Sequence, residues 1–263
     1  MENIKNIKLF LLDMDGTIYL GDQLFDGTID FLRHVQADGG RYIFLTNNSS
    51  KGVEQYIEKL AKLGIPAVRE DFLTSVDATI PVLRAEKYRK IYALGTTSFK
   101  KQLREEELPI TDVLSDDIDC LCMGFDTELT FQKLEDACIL LNRDIAYIAT
   151  NPDWVCPTPF GSVPDCGSIS QILQTATGRL PRFIGKPGAA MAELAMQRTG
   201  YCKAETAIVG DRLYTDIACG INAGIQSIFV LSGEGTMEDI EKTGVTPTFI
   251  FEDIQEIYRQ LTQ

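Results

Sequence analysis

Four short stretches carry residue types at spacings that could move a phosphoryl group. The first is Asp13-Met14-Asp15-Gly16-Thr17, directly after the apolar run Leu9 to Leu12. Residues two apart on an extended chain point to the same side. Asp13 and Asp15 can therefore face one reaction centre. One carboxylate can attack phosphorus while the other exchanges a proton with the leaving oxygen. Gly16 permits a sharp turn, whose N–H groups can hold phosphoryl oxygens. Taken alone, the stretch reads equally as a solvated acidic turn.

The second is Thr46, which ends the apolar run Tyr42 to Leu45. Its hydroxyl can donate to a phosphoryl oxygen, although a threonine there is more commonly a cap. The third is Lys186, in Gly185-Lys186-Pro187. An ammonium after an apolar strand can neutralise both an attacking carboxylate and the phosphoryl charge. By itself it would be a surface lysine. A nucleotide-binding P-loop is excluded, because Leu180 stands where its first glycine is needed and Pro187 replaces its Ser/Thr. The fourth is Gly210-Asp211-Arg212-Leu213-Tyr214-Thr215-Asp216, after Thr206 to Val209. Asp211 is placed like Asp13, at the end of a strand. Two carboxylates, a carbonyl oxygen and waters suit an octahedral magnesium ion. Asp216 can hold Asp211 or the metal's waters; alone it would be a carboxylate favoured by a helix N-terminus.

The elements that position these residues follow from the apolar pattern. Short apolar runs alternate with amphipathic stretches: Leu9 to Leu12, a helix over Ile29 to Gln36, Tyr42 to Leu45, and a helix over Gly52 to Leu63 stopped by Gly64. That grammar specifies a parallel sheet. In the middle, Ile91 to Gly95, Cys120 to Gly124 and Ile145 to Ala149 read as strands. Helices fill Ser98 to Glu106, Phe131 to Asn142 and Ser168 to Thr177. Pro152, Pro157, Pro159 and Pro164 argue against regular structure over Asn151 to Pro164. After Gly178 the first grammar returns, with Arg182 to Gly185 leading into a helix over Gly188 to Arg198. A strand over Thr206 to Gly210, a helix over Ile217 to Ala223, two late strands and a terminal helix over Glu252 to Leu261 follow. In an open α/β sheet the strand ends line one crevice, so the four stretches converge.

Composition narrows the chemistry. The 263 residues carry a net charge of −13, which repels nucleic acid and anionic membranes. No stretch approaches the ~18 apolar residues of a membrane span, and the first residues lack a signal-peptide pattern. Seven cysteines then read as reduced thiols of a cytoplasmic protein. None is followed six residues later by arginine, which excludes a cysteine phosphatase. The one histidine, His34, lies in an amphipathic helix and leaves no histidine-dependent catalysis.

Together the four stretches resemble the haloacid dehalogenase superfamily of aspartate-nucleophile phosphatases, and within it the NagD-like, nitrophenylphosphatase-type branch. The branch is marked further by Thr46-Asn47-Asn48, by Thr150-Asn151-Pro152-Asp153 and by Pro164-Asp165-Cys166-Gly167-Ser168. The resemblance spans essentially the whole chain. It departs at Cys166 and at Asp26-Gly27-Thr28, both away from the chemistry. It implies that Asp13 is the nucleophile that becomes an aspartyl-phosphate. Asp15 is then the acid and later the base, and lends its backbone carbonyl to magnesium. Thr46, Asn47 and Lys186 bind the phosphoryl group, with Gly16 in the turn, and Asp211 completes the metal site with Asp216 behind it. The implied fold is a Rossmann-like α/β core, residues 1–78 plus 179–263, with an inserted smaller α/β cap over 79–178. The implied activity is magnesium-dependent hydrolysis of a small phosphorylated metabolite, with no nucleic-acid or membrane partner and with a homodimer left open. A phosphomutase-like transfer on the same core is the alternative. The loop Asn151 to Pro164 and the turn Asp165 to Ser168 are the candidates for contact with the leaving group. Replacing Asp153 or Asp165 should then alter the substrate ranking; the competing reading is that these residues only build the cap fold.

Overall fold

The computed structural model describes residues 3–158 and 160–263. The chain divides into two compact units, one of residues 1–46, 53–73 and 186–263, the other of 47–52 and 74–185.

The first unit is built on a six-stranded sheet. Its order is Phe249–Phe251, Gln226–Val230, Thr206–Gly210, Leu9–Leu12, Arg41–Thr46 and Phe72–Thr74. The first five run parallel. Leu9–Leu12 lies at the centre, buried at every residue. A strand covered on both faces needs such a continuous apolar run. Helices Thr28–Ala37, Val53–Lys62, Ala190–Thr199, Ala218–Ala223 and Ile254–Thr262 belong to this unit. Phe10 meets Phe31 of the first of these edge to face, ring centres 5.1 Å apart. Gly64 ends Val53–Lys62 at φ +84°, a conformation that favours glycine.

The second unit has its own parallel sheet, ordered Arg182–Phe183, Ala146–Ala149, Cys120–Met123, Ile91–Leu94 and Ile110–Thr111. Leu94, Leu121, Met123, Leu140 and Leu173 are among its core side chains. The fold is thus the expected α/β architecture, a parallel-sheet core with a smaller α/β unit inserted.

The structure differs from the sequence reading in three places. Arg182–Phe183 pairs with Ile148 and Ala149 of the second sheet instead of opening the return to the first. A helix over Ser75–Glu86 runs straight through residue 78, so no linker falls there. Its N-terminus is locked by Thr74 and Asp77, each side chain accepting from the other's backbone N–H. That lock outweighs the loss of one hydrogen bond at Pro81. Lastly, Val155–Thr158 and Gly161–Pro164 form a two-stranded antiparallel ribbon where prolines argued against regular structure. Both strands are edges, where a missing N–H costs no ladder bond on the open side. Pro159 lies outside the described residues.

No helix among the described residues is long and apolar enough to cross a membrane. Cys120, Cys122, Cys166 and Cys219 are buried, and all seven cysteines are free thiols. Burial pushes the Cys120 and Cys219 thiols up to about 12, so neither is a nucleophile at neutral pH.

Candidate active site

Asp13 continues the central strand, its N–H donating to the Val209 carbonyl at 2.9 Å. The chain then turns sharply at Gly16, φ +86°, whose N–H donates to the Tyr19 carbonyl at 2.8 Å. Asp211 and its neighbours follow the adjacent strand Thr206–Gly210. Parallel pairing of these two strands therefore delivers Asp13 and Asp211 to one edge. A wide turn over Leu213–Ile217 brings Asp216 back beneath Gly210, where an added Cβ would lie 2.3 Å from the Asp216 Cβ. Asp13, Asp211 and Asp216 each offer a carboxylate oxygen within 4.8 Å of the others.

Lys186 is the counter-charge. Only 3% exposed, its Nζ donates to Asp13 Oδ1 at 2.5 Å and to Asp216 Oδ1 at 2.6 Å. Burial alone would pull this ammonium's pKa down; the Asp13 and Asp216 carboxylates outweigh burial and hold it above the ordinary lysine range. The other oxygen of Asp216 accepts from the Arg212 N–H at 3.1 Å. Both oxygens of Asp216 are thus engaged by the protein. Burial and the charge of Asp13 raise its carboxyl to about 6, against the opposing pull of Lys186.

Asp211 is placed differently. Its Oδ2 accepts from the Glu234 N–H at 2.7 Å, whereas its buried Oδ1 has no hydrogen-bond partner among the described residues. Burial, then the charges of Asp13 and Asp216, push its carboxyl up to about 7. A buried, unpartnered carboxylate oxygen beside two further carboxylates is an arrangement that costs free energy without a cation. Oxygen-only donors in this number suit a hard divalent ion.

The Asp15 carboxylate stands apart from this cluster. It is half exposed, 4.0 Å from Lys59 Nζ, and that ammonium sits 3.8 Å over the Tyr19 ring. Burial raises the Asp15 pKa, and Lys59 opposes the rise. Thr46 ends Arg41–Thr46, the strand on the other side of the central one, and is buried.

Asn47 groups with the second unit. Its Nδ2 donates to Asp153 Oδ2 at 2.7 Å, and its carbonyl accepts from Ser75 Oγ at 2.7 Å. Asn151 Nδ2 donates to both Asp153 Oδ2 (2.9 Å) and Asp165 Oδ1 (3.1 Å). Asp165 also caps the helix Cys166–Thr177. Asp153 and Asp165 are buried and hold this network of the second unit together. Their carboxylates were legible as motif residues, but their burial was not.

Sequence reasoning missed Lys59, the Arg212–Glu234 ion pair at 2.9 Å, and the turn Ser232-Gly233-Glu234-Gly235. The signal for the last was present in two glycines directly after an apolar strand.

A mainly parallel α/β sheet with a carboxylate–lysine cluster at its strand ends is the architecture of a hydrolase family. Residues 10–109 match the haloacid dehalogenase-like hydrolase model, and residues 183–257 match a second model of HAD-like hydrolases. The chain belongs to the haloacid dehalogenase-like hydrolases, in their NagD and p-nitrophenylphosphatase-type branch. It is 35% identical over 259 residues to the acid sugar phosphatase of Staphylococcus aureus, covering 98% of this chain and 99% of the relative. A 4-nitrophenylphosphatase from Thermotoga maritima superposes with a TM-score of 0.91 at 39% identity over 98% of each chain. A glycerol phosphate phosphatase from Mycobacterium tuberculosis, solved with magnesium, gives 0.90 at 29% identity, covering 98% of this chain and 78% of that one.

Proposed function

We propose that this chain is a magnesium-dependent phosphatase that hydrolyses small phosphomonoesters through an aspartyl-phosphate on Asp13. The observation that carries the reading is the buried ammonium of Lys186 between Asp13 and Asp216, beside the unpartnered Oδ1 of Asp211. The sugar, glycerol and nitrophenyl phosphates named for its relatives are the first substrates to assay. Seven free thiols suit a cytoplasmic setting.

Asp13 and Asp211 would hold the metal by their carboxylates, with the Asp15 backbone carbonyl. Bound there, a divalent ion supplies charge neutralisation that lets an anionic ester approach a carboxylate. A carboxylate oxygen of Asp13 attacks phosphorus as the bond to the ester oxygen breaks. Asp15 gives its proton to that departing oxygen, and burial raises its pKa in the direction that favours the protonated acid. The same carboxylate then accepts a proton from the water that attacks phosphorus, releasing phosphate and restoring Asp13. Lys186, with Thr46, binds the phosphoryl oxygens as charge spreads over them. Asp216, with both oxygens engaged, positions Lys186.

Replacing Asp15 with asparagine tests the acid role. The expected loss is about 10²–10⁴-fold on alkyl phosphates such as sugar phosphates. It should be clearly smaller on p-nitrophenyl phosphate, whose leaving group needs no proton. Equal losses on both substrates would contradict Asp15 as the acid for the first step.

The metal site gives a pH test. Asp211 must be ionised to bind a cation, and its carboxyl lies near 7 without one. Cation binding therefore releases a proton below that pH. Apparent magnesium affinity should weaken about tenfold per pH unit below roughly 7 and level off above it. Calorimetric titration at several pH values measures this directly; an affinity flat down to about pH 5.5 would remove Asp211 from the site. Activity should likewise vanish with chelator and return with excess magnesium.

A further inference from the structure

We propose that the turn Ser232-Gly233-Glu234-Gly235, after the strand Gln226–Val230, is a positioning clamp. It fixes the side chain of Asp211 so that Oδ1 alone is presented to the cation. This inference rests on the metal reading of Asp211 given above and goes beyond it by assigning the turn a role.

Four contacts define the clamp. The Glu234 N–H donates to Asp211 Oδ2 at 2.7 Å, so one oxygen is claimed and the other is left over. The Gly235 N–H donates to the Asp211 backbone carbonyl at 3.0 Å, which ties the turn to the residue's main chain as well. Ser232 Oγ donates to the Gly16 carbonyl at 2.7 Å, joining the turn to the Asp13–Gly16 loop. The Arg212 guanidinium pairs with the Glu234 carboxylate at 2.9 Å, closing the turn from the other side.

Space does the rest. A Cβ built on Gly233 would lie 2.0 Å from Asp211 Oδ2, 2.4 Å from Cγ and 2.5 Å from Cβ. A Cβ on Gly16 would lie 2.4 Å from the same Oδ2 and 3.1 Å from the Gly233 Cα. The Asp211 carboxylate is wedged between two bare glycine backbones, one from each loop. Gly16 needs to be glycine for its φ of +86°, but Gly233 has no such backbone requirement. Its lack of a side chain is explained by the carboxylate packed against it. An alanine at 233 cannot be accommodated by rotating the Asp211 side chain alone, because rotation leaves the Asp211 Cβ in place; the turn and the Asp211 main chain must move apart. That separation would break the Glu234 contact and shift Oδ1 from its present position.

The clamp therefore sets cation affinity by holding Asp211 in place. Support from residues that orient a metal ligand is typically worth about 10–100-fold in affinity.

The test compares wild type, Gly233→Ala, Ser232→Ala and Thr236→Ala by calorimetric titration with magnesium chloride and by the magnesium-induced rise in thermal midpoint. Thr236 caps the next helix, Met237–Thr243, and has no hydrogen bond to Asp211. Its replacement loosens the same segment without altering the clamp. Gly233→Ala is expected to weaken magnesium binding at least about tenfold, with most of kcat recovered at saturating magnesium. Ser232→Ala should weaken binding a few-fold, and Thr236→Ala should leave it at the wild-type value. Should Gly233→Ala not fold, Ser232→Ala decides. Wild-type magnesium affinity in Gly233→Ala, or in Ser232→Ala when that variant decides, overturns the clamp, as does an equal weakening in Thr236→Ala. Absence of magnesium binding by the wild type itself would instead overturn the metal reading of Asp211, and the clamp with it.

Discussion

Asp13→Asn is expected to abolish turnover, by about 10⁴–10⁶-fold, in a protein that folds as well as the wild type. An amide does not attack phosphorus, and losing a covalent nucleophile removes nearly the whole catalytic advantage of residues that act as a unit. The stability half of the prediction comes from the cluster itself. Asp13, Asp211 and Asp216 crowd three carboxylates around one ammonium. After burial, the charge of Asp13 is the largest cause of the raised Asp211 carboxyl. Removing that charge relieves repulsion while Lys186 keeps Asp216 as its partner. The metal-free thermal midpoint should therefore stay level or rise. Asp211 should also titrate closer to the ordinary carboxylate range. Steady-state rates on p-nitrophenyl phosphate, a search for phosphate covalently attached to the wild-type protein, and thermal melts check the three parts. A variant within tenfold of wild type would show that another group attacks phosphorus.

Why some of this was legible in the residues and some not has a physical explanation. A strand buried on both faces must be continuously apolar, so Leu9–Leu12 and Thr206–Gly210 could be found by inspection. A polar residue that ends such a run stands at the carboxyl edge of the sheet, where the chain leaves the apolar core. Asp13, Thr46 and Asp211 were therefore readable as candidates, and parallel pairing brings them to one edge. The place of Asp216 beside Asp13 and Asp211 was legible only through its motif. Contacts made by backbone groups or by distant side chains carry no such mark. The Glu234 N–H on Asp211 would be made by any residue except proline, so nothing at position 234 advertises it. The amide of Asn47 looked free to bind a ligand, yet it donates to Asp153, over a hundred positions away. Helix Ser75–Glu86 was hidden by Pro81, and Arg182–Phe183 by being only two residues long. In both cases tertiary packing overrode the local signal.

Lys186→Met is expected to damage rate and stability together, and the stability loss should depend on pH. The thioether keeps much of the buried volume but none of the charge. Removing one donor to the transferring phosphoryl group should cost on the order of 10²–10³-fold in kcat. The fold loses the buried cation that pairs with both Asp13 and Asp216. Breaking a buried pair by removing one partner typically costs about 3–5 kcal/mol, because the remaining charge stays buried. Asp216 can escape this cost by taking up a proton. Its carboxyl is already raised to about 6 by burial and the charge of Asp13, with Lys186 holding it down. Without Lys186 it rises further above its unfolded value. A group raised in this way stabilises the fold fully below the unfolded pKa and loses that contribution as pH climbs through the folded one. Lys186→Met should thus lie closest to wild type in stability near pH 5.5 and fall furthest behind above about pH 7. Denaturant unfolding of both proteins across that range measures the gap. A gap that stays constant with pH would mean that Asp216 does not titrate there. A rate loss of only a few-fold would make the ammonium a packing element and remove it from phosphoryl binding.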